Sequence, residues 1–285
     1  MKVGIDCVYC YLKQAVSCMS MIGVEEDTQH EVLYSLMEDV KNLDRNATPC
    51  DNSSEIIFKT YERIGTLDPY VEIKKQSNDL ALSLYHRLEA IVDNSEDKLY
   101  TSLKLAAAGN VIDLGIHRSF NIDEAIEQSM EKGFTVNHYT EFRVALEKVD
   151  SVLILGDNSG EIVFDKLLVQ QLSALGKKVI YSVKSGPVLN DSTMEDAVYT
   201  GMNKIAKVVE TGSRYLGAPM DKLSEEFRNT VENSQLIISK GQANYESITE
   251  EITLKNKIFF LLKIKCESVG QDANCPFGEM VFFKK

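Results

Sequence analysis

The chain has 285 residues, 44% of them hydrophobic and 26% charged, enough to bury a large core in one big domain or two unequal ones. Its formal net charge of −12 repels nucleic-acid phosphates and argues against a nucleic-acid partner held by counterion release, though not against a small phosphorylated ligand. No apolar run approaches the roughly 20 residues of a membrane span, which argues against a membrane protein.

The start, Met1-Lys2-Val3-Gly4-Ile5-Asp6, has no cationic segment followed by an apolar core, so the sequence predicts no secretory signal and a cytoplasmic location. In such a reducing compartment the six cysteines argue for metal binding, redox chemistry or plain burial rather than a disulfide framework. From Asp6 to about Lys98 nearly every segment has helical spacing, broken by turn-rich clusters at 42–52, 65–69 and 93–97. This predicts a helical N-terminal subdomain over residues 1–100. Within it Cys7-Val8-Tyr9-Cys10 leads into the helical face Leu12, Ala15, Val16 and Met19, which also carries Cys18. A structural zinc would need a second ligand pair, and neither Cys50 nor Cys266 has a Cys or His near it in sequence.

Residues 105–115 pack small side chains where a helix must approach another element closely, and among them Asn110 and Asp113, three apart, would share a helical face. Read alone they are an amide and an acid satisfying a helix end. After a linker at about 134–139 the pattern changes to strands, at 152–155, 178–183, 207–209, 236–239 and 258–262, with crossover-length segments between them. That alternation predicts a three-layer α/β/α, doubly wound, mostly parallel sheet over residues 101–285 as the metal- and substrate-binding domain. The tail at 280–283 reads as one more strand, antiparallel at an edge.

Three strand ends carry polar clusters. The first is Gly156-Asp157-Asn158-Ser159-Gly160-Glu161, where a buried strand stops at a glycine and an amphipathic helix starts at about Glu161. The second is the segment from Lys184 to Thr193, which holds Asn190-Asp191 ahead of a helix. The third runs Ser239-Lys240-Gly241-Gln242-Ala243-Asn244-Tyr245-Glu246. Each has a plain structural explanation: Asp191 as an N-cap, Glu161 as a helix-start acid, Lys240 as a solvated lysine. Together they supply more, because open α/β sheets bring neighbouring strand ends to one crevice. Asp157, Asn158 and Asp191 would give three oxygen ligands to Mg²⁺ or Mn²⁺, leaving other positions for water and substrate. Lys240 would neutralise substrate phosphate, the backbone N–H groups around Gly160 and Gly241 would cradle it, and Glu161 would orient water.

These residues carry a resemblance. Gly-Asp-Asn-Ser-Gly-Glu, the later Pro-Val-Leu-Asn-Asp-Ser-Thr with Glu195-Asp196, the Ile-Ile-Ser-Lys-Gly-Gln-Ala-Asn-Tyr-Glu segment and the N-terminal Cys-x-x-Cys resemble the DUF89 family in its prokaryotic cysteine-containing branch, over nearly the whole chain. The resemblance implies a helical subdomain on a three-layer α/β domain and a metal-dependent damage-control phosphatase acting on small phosphorylated metabolites. It places the metal ligands on Asp157, Asn158 and Asp191 and the catalytic set on Asp157, Asp191 and Lys240. The substrate side then comprises Asn110, Asp113, Ser159, Gly160, Glu161, Lys240 and Gly241, and the cofactor is a divalent ion, Mn²⁺, Mg²⁺, Ni²⁺ or Co²⁺. Two positions depart from the family pattern, Ser159 where alanine is usual and Ala243 where glycine is common.

Other readings stay open. A haloacid-dehalogenase-type phosphatase would need a second acid two positions after Asp157, where this chain has Ser159. A dinucleotide or methyl-donor enzyme would need a fuller glycine fingerprint than Gly156 and Gly160. A non-catalytic, cation-assisted binder of a nucleotide or phosphosugar is the remaining alternative. Sequence leaves the oligomeric state open.

Overall fold

The computed structural model describes residues 1–109 and 122–285. Asn110 and Asp113 lie outside them. Five helices come first: α1 (Ile5–Met21), α2 (Glu26–Lys41), α3 (Pro49–Ile64), α4 (Val71–Asp93) and α5 (Lys98–Gly109). Then follow α6 (Ile122–Lys132), β1 (Val136–Asn137), α7 (Tyr139–Glu147), β2 (Ser151–Leu155), α8 (Glu161–Ala174) and β3 (Lys178–Val183). The chain continues through α9 (Met194–Tyr199), β4 (Lys207–Glu210), α10 (Glu225–Asn233), β5 (Ile237–Lys240) and α11 (Gly241–Ile248), and ends with β6 (Ile258–Lys263), α12 (Glu267–Ala273) and β7 (Met280–Phe283).

Local chemistry explains several boundaries. At the start of α3, Thr48 and Asp51 form a reciprocal capping box with Pro49 at the first helical position, and Gly65 closes the helix in the left-handed conformation. Four of the five residues of β2 are buried, as a central parallel strand covered on both faces requires. Val152 and Ile154 point into the core shared with α4, α5, α7 and α8, whereas Leu153 and Leu155 point into the core shared with α10, α11 and α12. Helix α8 is apolar nearly all round because it is sandwiched between the sheet and α4 and α5. The small residues of α5 permit that approach: a methyl added at Gly109 would lie 3.1 Å from the Phe164 side chain. Helices α1 to α3 pack around Tyr11, Ala15, Met19, Leu36 and Ile56, while α4 gives Ala81, Leu88 and Val92 to the sheet's own core.

The strands form one seven-stranded sheet in the order β1-β7-β6-β5-β2-β3-β4, with only the β6–β7 pair antiparallel. The three-layer, doubly wound, mostly parallel architecture is therefore present. The tail strand is antiparallel as expected but is not the edge. Beyond it lies β1, inside the stretch read from sequence as a linker, where Thr135 N–H bonds Met280 O at 2.9 Å and His138 N–H bonds Phe282 O at 2.7 Å. A strand of two residues is too short to show a period-2 pattern. From β2 the chain winds outward through β3 and β4, then returns to β5 on the other flank of β2. The switch point, where such sheets open a crevice, falls between the carboxyl ends of β2 and β5. No helix among the described residues is long and apolar enough to cross a membrane.

Candidate active site

At the switch point β2 gives way to Gly156, where any side chain would strike β3: a Cβ there would sit 2.6 Å from Ser182 O and 2.7 Å from the Tyr181 ring. The following loop is stitched to the loop after β3 as a short antiparallel bridge between Asn158 and Asp191. Ser159 N–H donates to Asn190 O at 2.8 Å, and Ser192 N–H donates to Asp157 O at 2.8 Å. That bridge, rather than proximity in sequence, brings Asp157, Asn158 and Asp191 together. Asp191 is not a helix cap. Thr193 caps α9 through its own box with Asp196, which leaves the Asp191 carboxylate to the site.

The helical layer holds both loops in place. Asn78 of α4 accepts Gly160 N–H at 2.7 Å and donates to Asp196 at 2.8 Å, and the Tyr61 hydroxyl of α3 accepts Leu189 N–H at 2.9 Å. The Gly160 N–H expected to cradle phosphate is therefore already bonded. Opposite, α11 starts at Gly241 against the Asp157 carboxylate, where an added Cβ would fall 1.8 Å from Oδ2. Only glycine, with its φ of 77°, fits this cradle. Ala243 lies inside α11, not in a loop.

Charge is concentrated here. Asp157, Glu161, Asp165 and Asp191 are all buried, as are Lys184 and Lys240. Burial, then the charges of Glu161 and Asp191, push the Asp157 carboxyl well above the usual carboxylate range. Burial also raises Asp191, with Lys184 offsetting part of the effect from 3.5 Å away. Ionised together, the four carboxylates would exceed the two ammonium groups by two negative charges, the charge of one divalent cation; without a cation, burial holds Asp157 and Asp191 toward their neutral forms. Ser159 Oγ is buried without a hydrogen-bond partner among the described residues, and Asp191 Oδ2 faces the Lys184 ammonium at 3.5 Å. Asn158 Nδ2 lies 3.1 Å from Asp157 Oδ2 and 3.3 Å from Glu161 Oε2, so the amide sits within the carboxylate group. Two carboxylates, an amide and the unpartnered Ser159 hydroxyl suit a hard cation. Among the described residues no three His, Cys, Asp or Glu side chains stand ready around a single point. The candidate set differs from such a group in having an amide as its third donor.

Lys240 was expected at a strand end, either solvated or neutralising substrate phosphate. It is instead wholly buried at the end of β5, its ammonium bonded to Glu161 and, at 2.6 Å, to Asp165. Burial disfavours that ammonium, but the two carboxylates overcome it and hold the Lys240 pKa above its ordinary value. Burial pushes Asp165 up to about 6 against the pull of Lys240, and the Tyr181 hydroxyl donates to Asp165 at 2.7 Å. Sequence reading did not single out Asp165. Its signal was an acid within the apolar run of α8, one turn after Glu161 and so on the same face. Lys184 and Asn78 likewise gain their roles only from tertiary contacts. Cavities of about 520 Å³ beside Asp51, Glu55 and Tyr215 and about 590 Å³ beside Lys178 and Lys207 are not lined by this cluster.

Cys7 and Cys10 both lie in the opening turns of α1 and are free thiols. Glu246 and Cys266 are among their electrostatic neighbours. Serine at both positions is expected to leave most of the phosphate-ester turnover; complete loss with the hydrolytic metal still bound would bring thiol chemistry back.

An acid-lined switch point on a mostly parallel sheet, roofed by helices, marks an α/β protein with a polar ligand crevice. A sequence model described as the damage-control phosphatase ARMT1-like domain matches residues 4–281, and the chain belongs to that family. It is 30% identical over 284 residues to the damage-control phosphatase PH1575 of Pyrococcus horikoshii, covering 99% of this chain and 97% of the relative. It is 31% identical over 287 residues to a damage-control phosphatase of Archaeoglobus fulgidus, covering 99% and 98%. The crystal structure of the DUF89 family protein PH1575 superposes with a TM-score of 0.90 at 29% identity, over 100% of this chain and 99% of the other.

Proposed function

We propose that this member of the family hydrolyses small phosphorylated metabolites, sugar phosphates or related monoesters, with a divalent ion held by Asp157, Asn158 and Asp191. The observation that carries the reading is the cluster of buried carboxyl groups at the switch point, whose mutual repulsion and burial a cation would relieve. A divalent ion there supplies Lewis acidity toward a phosphoryl oxygen and activation of the attacking water. The chain's own residues do the rest. Asp157 and Asp191 bring anionic oxygens, Asn158 a neutral one, and Gly241 leaves room for the Asp157 carboxylate. Lys240 and Asp165 hold Glu161 in place, so that its carboxylate can orient water. The position where a covalent aspartyl-phosphate enzyme needs its second acid is Ser159. Residues 1–100 act as a helical subdomain over the site, through Tyr61 and Asn78. The reading also places the enzyme in the cytoplasm.

The test is phosphate release from a generic monoester by chelator-stripped protein, resupplied separately with Mn²⁺, Mg²⁺, Ni²⁺ or Co²⁺. Turnover that depends on the added metal is expected; full activity in excess chelator would overturn the reading, and metal binding without turnover would favour a binding protein. The same metals should raise the melting temperature by relieving carboxylate repulsion. At a hundredfold excess over Kd the stabilisation is about 2.7 kcal/mol, or roughly 5–10 °C for a chain of this size. An unchanged melt at saturating metal would count against the site.

A further inference from the structure

The amino ends of β2, β3 and β4 border a cavity at the opposite end of the sheet from Asp157 and Asp191. Its volume, about 590 Å³, is that of a small-molecule site. Parallel pairing sets the geometry: Ser151 stands beside Lys178, and Ile180 beside Lys207. Residues in register, and residues two apart on one strand, project to the same side, so all four share one face of the sheet. Lys177, in the turn before β3, donates to Val149 O at 2.7 Å, which holds its ammonium beside the start of β2. Lys204, the last residue of the 3-10 helix Met202–Lys204, also lines the cavity.

Charge here runs against the rest of the molecule. Acids outnumber lysine and arginine by 43 to 31 along the chain, yet four lysines and no acid line this cavity. Among the described residues none of the four forms an ion pair. Asp150, next to Ser151, meets Lys178 through the backbone alone: its carbonyl accepts Lys178 N–H at 2.9 Å. Ammonium groups gathered without counter-charges repel one another, and a bound anion relieves that repulsion. Between them the lining is apolar, with Val179 buried and Ile180 and Ile205 partly so. A ligand that satisfies both surfaces carries several negative charges and an apolar body.

We propose that this cavity binds a small organic polyanion of the nucleoside di- or triphosphate class. Its phosphates would lie among Lys177, Lys178, Lys204 and Lys207, and its ring system would rest on Val179, Ile180 and Ile205. The compact, rotatable ammonium of lysine suits phosphate oxygens as a point charge. The site stands one strand length, roughly 17 Å, from the carboxylates at the switch point, so filling it requires no metal there.

The test is calorimetric titration of ADP, and separately of pyrophosphate, into the full chain freed of metal by chelation and dialysis, at low salt. One ADP per chain is expected, with pyrophosphate weaker because it has no ring to place on the apolar lining. Lys178→Gln/Lys207→Gln should weaken ADP about tenfold or more at an unchanged melt, since both lysines are exposed. Lys204→Gln should show a smaller loss in the same direction. Lys41→Gln/Lys255→Gln makes the same change in net charge at two exposed lysines elsewhere and should bind as wild type. Asp157→Asn should also bind as wild type, which separates this site from the phosphatase reading. No saturable binding at millimolar ADP, wild-type affinity in the Lys178/Lys207 variant or an equal loss in the Lys41/Lys255 variant would overturn the proposal. So would a loss in Asp157→Asn, or pyrophosphate bound as tightly as ADP.

Discussion

Replacing Asp157 by asparagine is expected to cost phosphate release on the order of 10³-fold or more in kcat/KM, about 4 kcal/mol of transition-state stabilisation. The exchange keeps size and shape, removes the charge and turns one acceptor oxygen into an NH2 donor, so the fold has little reason to change. Electrostatics points the other way: Asp157 lies among Glu161 and Asp191 with its carboxyl held well above the usual range by burial and by those charges. Neutralising it relieves repulsion, and the metal-free variant should melt at or above the wild-type temperature. What it should lose is the rise on adding Mn²⁺ or Mg²⁺, because one anionic oxygen of the set is gone. Asp191→Asn should behave alike, since the backbone bridge to Asn158 places its carboxylate in the same cluster. The combination of lost turnover, lost metal response and an intact melt identifies a ligand. Near wild-type turnover in either purified variant, or a preserved metal-induced rise, would sink the assignment.

Lys240→Met is expected to destabilise the protein by about 3–5 kcal/mol, lowering the melting temperature by roughly 10 °C. Methionine fills the space of the lysine stem, so the penalty comes from charge: Glu161 and Asp165 lose the ammonium that compensates them inside the core. A double variant with Asp165→Asn removes one of the stranded charges and should recover part of the loss, a coupling that independent sites would not show. The alternative expectation, that Lys240 bonds substrate phosphate directly, makes a different signature. Removing one hydrogen bond to a charged group would lower kcat/KM about tenfold to a hundredfold at an unchanged melt. Melting temperature and kcat/KM measured on both proteins separate the two roles, and an unshifted melt in Lys240→Met would remove the buried-pair account.

Much of this molecule could be read in one dimension. Apolar runs such as Val152 to Leu155 need burial on both faces, and their alternation with helical segments demands crossovers, so the sheet class follows from pattern alone. Asp157, Asn158, Asp191 and Lys240 were visible because chemistry-bearing residues at strand ends stand out beside turn glycines. Asp165 was not, because a single acid in an apolar helix reads as an isolated anomaly until a lysine from another strand meets it. Strand β1 was missed because two residues carry no period.

What the sequence determined by itself, then, is the periodicity: which segments are strands, which are helices, and which donors sit at their ends. Only the tertiary structure decided how those ends pair. The return of the chain from β4 to β5 puts Gly241 against Asp157, and the bridge between two loops puts Asn158 beside Asp191. The packing of α1 against α12 brings Gly4 to Ser268, more than 250 residues away in the chain. The physical reason is common to all three. Local propensity acts over one turn or one strand, whereas charge, cavity and ligation depend on distances in space, and those are set by burial of the two faces of the sheet.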